Sequence, residues 1–170
     1  MTDMFFEMPR SKRDRSLSNY FFDLESGTPV DVRLAPPFGS RKNVAMRDRE
    51  RVSLYSGGGG LVSNAVDFAR FEEAMRNGVS LNGTSILGPK IVTYMAANHL
   101  SADSGFAGFG EQPGVAAVET GAGFGLGFGA VTIAAKDAVI GRVREYNWGG
   151  AAGTVLLIDP VEELVAVSMI

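Results

Sequence analysis

Two stretches of the chain carry apolar residues at the spacing of an amphipathic helix. The first covers about residues 64–77, after Ser63 or Asn64 as a cap, and stops at Asn77-Gly78. The second begins at Pro89, which suits a first helical turn, and continues to about Asn98. The predicted buried faces consist of Ala65, Phe68, Phe71 and Met75 in the first helix, and of Ile91, Val92, Met95 and Leu100 in the second.

The segment from Gly121 to Ile170 follows a period of two instead, which favours strands. Its short connections imply antiparallel neighbours, and Asp159-Pro160 marks a hairpin. The predicted strands cover about 124–133, where apolar residues alternate with glycines, and then 143–148, 154–158 and 164–170.

The first 56 residues are weakly patterned, and we expect loop and short strands there. An apolar run at 20–24 ends at Ser26-Gly27, a turn signal. The predicted organisation is a single partial domain over 1–170, in which 1–56 is a loop-rich connecting region and 57–170 holds the helices and antiparallel strands.

Composition excludes several classes of function. The 170 residues are 45% hydrophobic, enough for one domain with a core, and the net charge of -3 argues against a nucleic-acid partner. There is no cysteine, which excludes disulfides and thiol nucleophiles but fits cytoplasm and periplasm equally, so the localisation stays open. No apolar stretch is long enough for a membrane span.

Other candidate chemistry is weak. His99 is the only histidine, and near a helix end it fits a capping or surface role better than a triad or metal site. Residues 125–130 match a dinucleotide fingerprint without the helix that it requires, so we expect no cofactor. We expect no metal either, because the sequence supplies no partner ligands for His99. Asp67, the Glu72-Glu73 pair and the Glu162-Glu163 pair are expected to be solvated charges.

An aromatic and glycine-rich run, Trp148-Gly149-Gly150-Ala151, lies between two predicted strands. Glycines in a strand let another backbone or a ligand approach closely. Taken alone, the run also fits a sheet with a packed indole. Tyr146 shares a strand face with Trp148 and is expected to pack in the core rather than to join a site.

This run resembles the third active-site motif of the serine β-lactamase-like hydrolases, a family of esterases, β-lactamases and penicillin-binding relatives. The family places Lys-Thr-Gly, His-Gly-Gly or, in its esterase-like branch, Trp-Gly-Gly there. Segments that resemble the family in the same order are Met1-Thr2-Asp3, 57–71, 81–90 and 123–129. These matches favour a cleft-lining role for Trp148.

The resemblance implies an α+β fold, an antiparallel sheet with flanking helices that forms the C-terminal half of a serine β-lactamase-like (transpeptidase-like) fold. It implies that the third motif lies on an edge strand lining the cleft, where the amide of Ala151 is an oxyanion donor worth on the order of 3 kcal/mol. Trp148 replaces a lysine that would pair with a substrate carboxylate, which favours neutral esters over β-lactams. The implied substrate- and oxyanion-binding residues are Trp148, Gly149, Gly150 and Ala151.

Two family motifs are absent. No serine is followed three positions later by a lysine, and no tyrosine is followed two positions later by an asparagine. In the family that lysine activates the nucleophilic serine. We therefore expect no catalytic residue in this chain, which would be the cleft-forming part of a serine hydrolase that acts on carboxylic esters, or on β-lactams, through an acyl-enzyme. The alternative is a non-catalytic binding or assembly protein that retains part of the fold.

The chain stops at Ile170 within an apolar strand, which predicts a truncation. An uncovered sheet edge would then invite association. We expect the isolated chain to be poorly stable, to self-associate or to pair with a missing N-terminal half. The partner expected for the complete protein is a small-molecule ester or β-lactam.

Overall fold

The computed structural model describes residues 1–31, 52, 54–78, 83–101, 122–132, 142–150 and 152–169. The chain divides into two compact units, Met1–Asp67 and Phe68–Ile170. Across the described residues the architecture is α+β, with two α-helices, a two-stranded hairpin and a five-stranded antiparallel sheet. This confirms the fold class that the sequence predicts.

The first unit contains a 3₁₀ helix at Arg10–Arg15 and then a short hairpin. Strand β1, Tyr20–Asp23, pairs antiparallel with strand β2, Thr28–Asp31. The turn between them includes Gly27, whose φ of +66° suits a residue without a side chain. Loop and short strands are therefore confirmed within residues 1–31.

Asp67 ties the beginning of the chain to the first helix, α1, which covers Ala65–Asn77. Its Oδ2 atom accepts the backbone N–H groups of Thr2 and Asp3 at 2.6 and 2.7 Å. The side chain was expected to be solvated, and that expectation is wrong, because Asp67 is buried. A buried carboxylate is tolerated here because two backbone donors hydrogen-bond to it.

The caps of α1 are those that the sequence offers. Asn64 is the N-cap, since its Oδ1 accepts the N–H of Asp67 at 2.9 Å. Gly78, with a φ of +62°, ends the helix. The Glu72-Glu73 pair is divided: Glu73 pairs with Arg76 near the surface, whereas Glu72 has 0% of its surface exposed. The prediction that Glu72 is solvated is wrong, because it lies on the helix face that turns toward the core.

The second helix, α2, covers Pro89–Ala96 and begins with Pro89 in its first turn, as predicted. It ends about two residues earlier than the sequence suggested. Val92 is buried and Met95 packs against the core. Ile91 is 51% exposed, so its assignment to the buried face was wrong.

The sheet of the second unit has the order β3-β4-β5-β6-β7 among the described residues, and each strand runs antiparallel to its neighbours. The hairpin between its last two strands is closed by Asp159, whose Oδ1 accepts the N–H groups of Val161 and Glu162 at 2.8 and 3.0 Å. This hairpin was predicted from the sequence. The strands are β3 at Ala122–Phe124, β4 at Gly129–Val131, β5 at Tyr146–Gly149, β6 at Val155–Asp159 and β7 at Leu164–Ser168.

The continuous strand predicted over 124–133 is wrong. The chain instead turns between β3 and β4, and the N–H of Gly125 donates to the carbonyl of Phe128 at 2.7 Å. Gly127 has a φ of +101°, which the alternating pattern does not reveal. Apolar residues alternate with glycines here because the glycines form the turn.

The core of the second unit lies between the helices and one face of the sheet. Its buried members are Met75 from α1, Val92 from α2, and Phe128, Tyr146 and Ile158 from the sheet region. Tyr146 and Ile158 are register partners, so their side chains share that face. Phe128 packs edge to face on Tyr146, with ring centroids 5.1 Å apart.

Candidate functional site

The candidate site begins where strand β5 leaves the core. Tyr146 is 2% exposed and belongs to the core cluster, which confirms its predicted packing role. Two residues later, Trp148 is 39% exposed. Strand β5 therefore runs from a buried residue to the surface within two residues, and the two glycines follow at its exposed end.

The resemblance implied an edge strand, and β5 is instead an internal strand of the sheet. Its pairing differs on the two sides, however. Register with β4 ends at Gly129↔Asn147, whereas register with β6 continues to Gly149↔Val155. The shortness of β4 thus gives the Trp148 end of β5 a local edge, although the strand as a whole lies inside the sheet.

An aromatic pair stands at this local edge. The rings of Trp148 and Phe124 meet edge to face with centroids 4.7 Å apart and an interplanar angle of 66°. Phe124 belongs to β3, which is not a neighbour of β5 in the sheet. Sequence reasoning did not place Phe124 in the site, and its position in a glycine-rich segment that matched the family was the only signal available.

The two glycines after Trp148 are exposed, and a side chain at the second of them would displace the side chain of Thr154. A Cβ at Gly150 would lie 2.7 Å from Oγ1 of Thr154, whereas at Gly149 the nearest atom would be 3.6 Å away. The N–H of Gly150 donates to the carbonyl of Thr154 at 2.8 Å, which closes a tight turn with Gly153. Ala151, the expected oxyanion donor, lies outside the described residues.

Burial controls the ionisation of Tyr146, which precedes Trp148 by two residues on β5. Desolvation, with a further contribution from the charge of Glu72, raises the pKa of Tyr146 to about 12, although the charge of Arg76 acts in the opposite direction. Its hydroxyl is therefore neutral at physiological pH. A neutral, buried phenol fits packing and does not fit a general base.

The other candidates from the sequence, His99 and the glycines at 125–130, have structural contacts. His99 places Nε2 2.7 Å from the carbonyl oxygen of Tyr94 and packs edge to face on its ring, a contact at the end of α2. The glycines at 125–130 lead into strand β4 rather than a helix, so they do not form a dinucleotide site. Within the described residues, no cluster of His, Asp and Glu could hold a metal ion, and no helix has the length and apolarity to cross a bilayer.

The family model named Beta-lactamase matches residues 1–170. The chain belongs to the Beta-lactamase family. Its α+β fold with an antiparallel sheet is accordingly that of a serine β-lactamase-like hydrolase family. This confirms the resemblance that the sequence motifs carry.

Two mycobacterial proteins are similar to this Beta-lactamase family chain along its whole length. They are "Uncharacterized protein MT1414" of Mycobacterium tuberculosis (strain CDC 1551 / Oshkosh) and "Protein Rv1367c" of Mycobacterium tuberculosis (strain ATCC 25618 / H37Rv). Each is 28% identical over 173 residues, which is 100% of this chain and 39% of the relative. The chain thus spans about two fifths of the length of these relatives.

A solved structure shares the fold. It is that of "EstCE1, a hydrolase with promiscuous acyltransferase activity", with a TM-score of 0.71 and 22% sequence identity. The match covers 98% of this chain and 40% of EstCE1. At this identity the likeness concerns the fold.

Proposed function

We propose that this chain forms the cleft wall of a serine hydrolase that acts on carboxylic esters through an acyl-enzyme, with the nucleophile supplied from outside the chain. The observation that carries the proposal is the half-exposed Trp148, held against Phe124 and followed by two exposed glycines. Membership of the Beta-lactamase family and the esterase-like Trp-Gly-Gly run support it.

The chemistry of the wall favours an uncharged substrate. Trp148 and Phe124 offer aromatic surface without a cation, so a substrate carboxylate would find no ion pair with them. In the proposed arrangement Gly149 and Gly150 let the acyl group approach the backbone, and the amide of Ala151 donates to the oxyanion. Neutral esters are therefore preferred, and β-lactams that carry a carboxylate are poorer substrates.

The experiment adds to this chain the proposed upstream segment, one that carries Ser-x-x-Lys, and follows the release of p-nitrophenol from p-nitrophenyl esters. We expect hydrolysis with both segments together and none with this chain alone. Trp148→Ala should lower kcat/KM, whereas Tyr20→Ala, at an exposed tyrosine on the hairpin of the first unit, should leave it unchanged. Hydrolysis by the chain alone would contradict the proposal.

A second candidate function is binding without catalysis, and the absence of Ser-x-x-Lys and Tyr-x-Asn from all 170 residues favours it. The same wall could hold an ester that it does not cleave. If the ester raises the melting temperature of this chain together with the added segment, and no p-nitrophenol is released, binding is the function. Release of p-nitrophenol excludes this candidate.

A further inference from the structure

A buried carboxyl on helix α1 plays no part in the proposed site. Glu72 has 0% of its surface exposed, and neither of its oxygens has a hydrogen-bond partner among the described residues. The hydroxyl of Tyr146, on strand β5, is likewise buried and lacks such a partner there. Unpaired buried polar groups are rare in proteins, so each one calls for a physical explanation.

Within the part of the chain that the structure describes, no cation donates a hydrogen bond to Glu72. On its own helix, Arg76 is committed to Glu73 through two nitrogens at 2.6 and 2.8 Å. Helix α2 turns the apolar Val92 and Met95 toward the core. Among the described residues, the other titratable groups near this layer are Tyr146 of β5 and Glu163 of the turn between β6 and β7. Glu145 and Asp159 alternate with core residues onto the other face of the sheet.

We propose that Glu72 is a proton-operated latch: as the neutral acid it lets helix α1 pack on strand β5, and as the carboxylate it loosens that packing and shifts the strand that carries Trp148. A carboxylate without a partner is costly in an apolar core, and the neutral acid is much less so. This inference concerns the packing of the second unit and does not depend on the proposed function.

The direction of the effect follows from burial, which raises the pKa of Glu72 from the ordinary 4.5 to about 7. Between these two values the folded chain holds a proton that the unfolded chain has released. The stabilisation is complete below about pH 4.5, is lost as the pH rises to about 7, and is constant above that. The ratio of folded to unfolded chain should fall roughly 300-fold over this interval.

Trp148 gives a direct signal, because it is the only tryptophan of the chain and lies on β5. Urea unfolding of the full chain is followed by its fluorescence between pH 5 and pH 8. We expect the free energy of unfolding to fall up to about pH 7 and to level off above it, and the native-state emission to change with a midpoint near pH 7. In Glu72→Gln both should become independent of pH, since an amide does not titrate.

Two controls isolate the residue. Glu73→Gln should retain the dependence on pH, because its hydrogen bonds with Arg76 hold the pKa of Glu73 below its ordinary value and outside the interval measured. His99→Gln should also retain it, which excludes the imidazole as the source of a signal in a range where imidazoles ordinarily titrate. A midpoint that disappears in His99→Gln would overturn the latch.

A measurement without any variant covers the case in which Glu72→Gln does not fold. With ¹³C-labelled glutamate in the full chain, one side-chain carboxyl should titrate with a midpoint near pH 7. If every glutamate of the unsubstituted chain titrates near its ordinary value, the proposal is wrong. This holds equally if the reason is that the chain does not fold.

Discussion

Phe124 and Trp148 touch although a strand lies between them. Phe124 is the register partner of Gly129, and Gly129 is the register partner of Asn147, the residue before Trp148. Since Gly129 has no side chain, the indole approaches to within 3.7 Å of where its Cβ would stand. The indole of Trp148 therefore lies beside a position of β4 that carries no side chain, where a Cβ would make ordinary van der Waals contact and a longer side chain would compete for space.

The first prediction concerns this glycine. In Gly129→Leu the new side chain occupies the space beside the indole, which should separate Trp148 from Phe124. We expect a shift of tryptophan emission to longer wavelength and a loss of roughly 1–3 kcal/mol in the free energy of unfolding. Gly57→Leu is the matched control, because Gly57 is exposed and a Cβ there would meet nothing within 4 Å. Unchanged emission in Gly129→Leu would contradict the packing of Trp148 beside Gly129 and against Phe124.

The second prediction tests the turn between β3 and β4. A Cβ at Gly125 would lie 2.0 Å from the carbonyl oxygen of Met95, an atom that also accepts the N–H of Leu126 at 2.8 Å. Because the obstacle is backbone, Gly125→Ala should displace the end of α2 and cost roughly 1–3 kcal/mol in urea unfolding. Gly57→Ala should change the same measurement little, because a Cβ at Gly57 would meet nothing within 4 Å. Equal losses in the two variants would argue against the contact between Gly125 and Met95.

The third prediction concerns the buried carboxylate at the start of α1. Asp67→Asn retains the shape of the side chain but replaces a charged acceptor of the Thr2 and Asp3 amides with a neutral one. We expect a loss of about 1–3 kcal/mol in thermal unfolding and faster hydrogen exchange at those two amides. Asp14→Asn, at an exposed position, should leave both measurements unchanged. Slow exchange that persists in Asp67→Asn would rule out this role.

The fourth prediction separates two capping candidates. The side chain of Asn64 accepts a backbone N–H of α1, whereas the hydroxyl of Ser63 donates to the carbonyl of Asn64. Asn64→Ala should therefore cost about 1 kcal/mol in the free energy of unfolding, and Ser63→Ala less. The reverse order would assign the cap to Ser63.

Local chemistry made much of this fold predictable. Gly78 and Pro89 mark helix ends, because glycine tolerates a positive φ and proline fixes φ at a helical value. Asp159 indicates a hairpin, because its short side chain can accept backbone N–H groups of the following turn. Asn64 and Ser63 could not be separated from the sequence, since both can cap. That choice depends on which side chain reaches the first turn.

What the sequence did not predict depends on contacts between distant residues. Glu72 is charged by type, and only the packing of its helix buries it. The alternation of apolar residues with glycines around Gly127 fits a strand or a turn equally, because a positive φ leaves no mark on the pattern. The contact between Phe124 and Trp148 crosses a strand, so neither residue predicts the other from spacing.

The hairpin of β6 and β7 has a consequence for the order in which the chain folds. All five of its register pairs, from Val155↔Ser168 to Asp159↔Leu164, join residues that are close in sequence, and Asp159 fixes the turn with its own side chain. Closing so short a loop loses little chain entropy, and isolated hairpins form within about 1–10 μs. β3 and β4 must instead be joined to β5 across a longer segment. The register pairs of β5 with β6 are as local as those of the hairpin, so we expect β5, β6 and β7, and with them Trp148, to pair before β4 and β3 join the sheet.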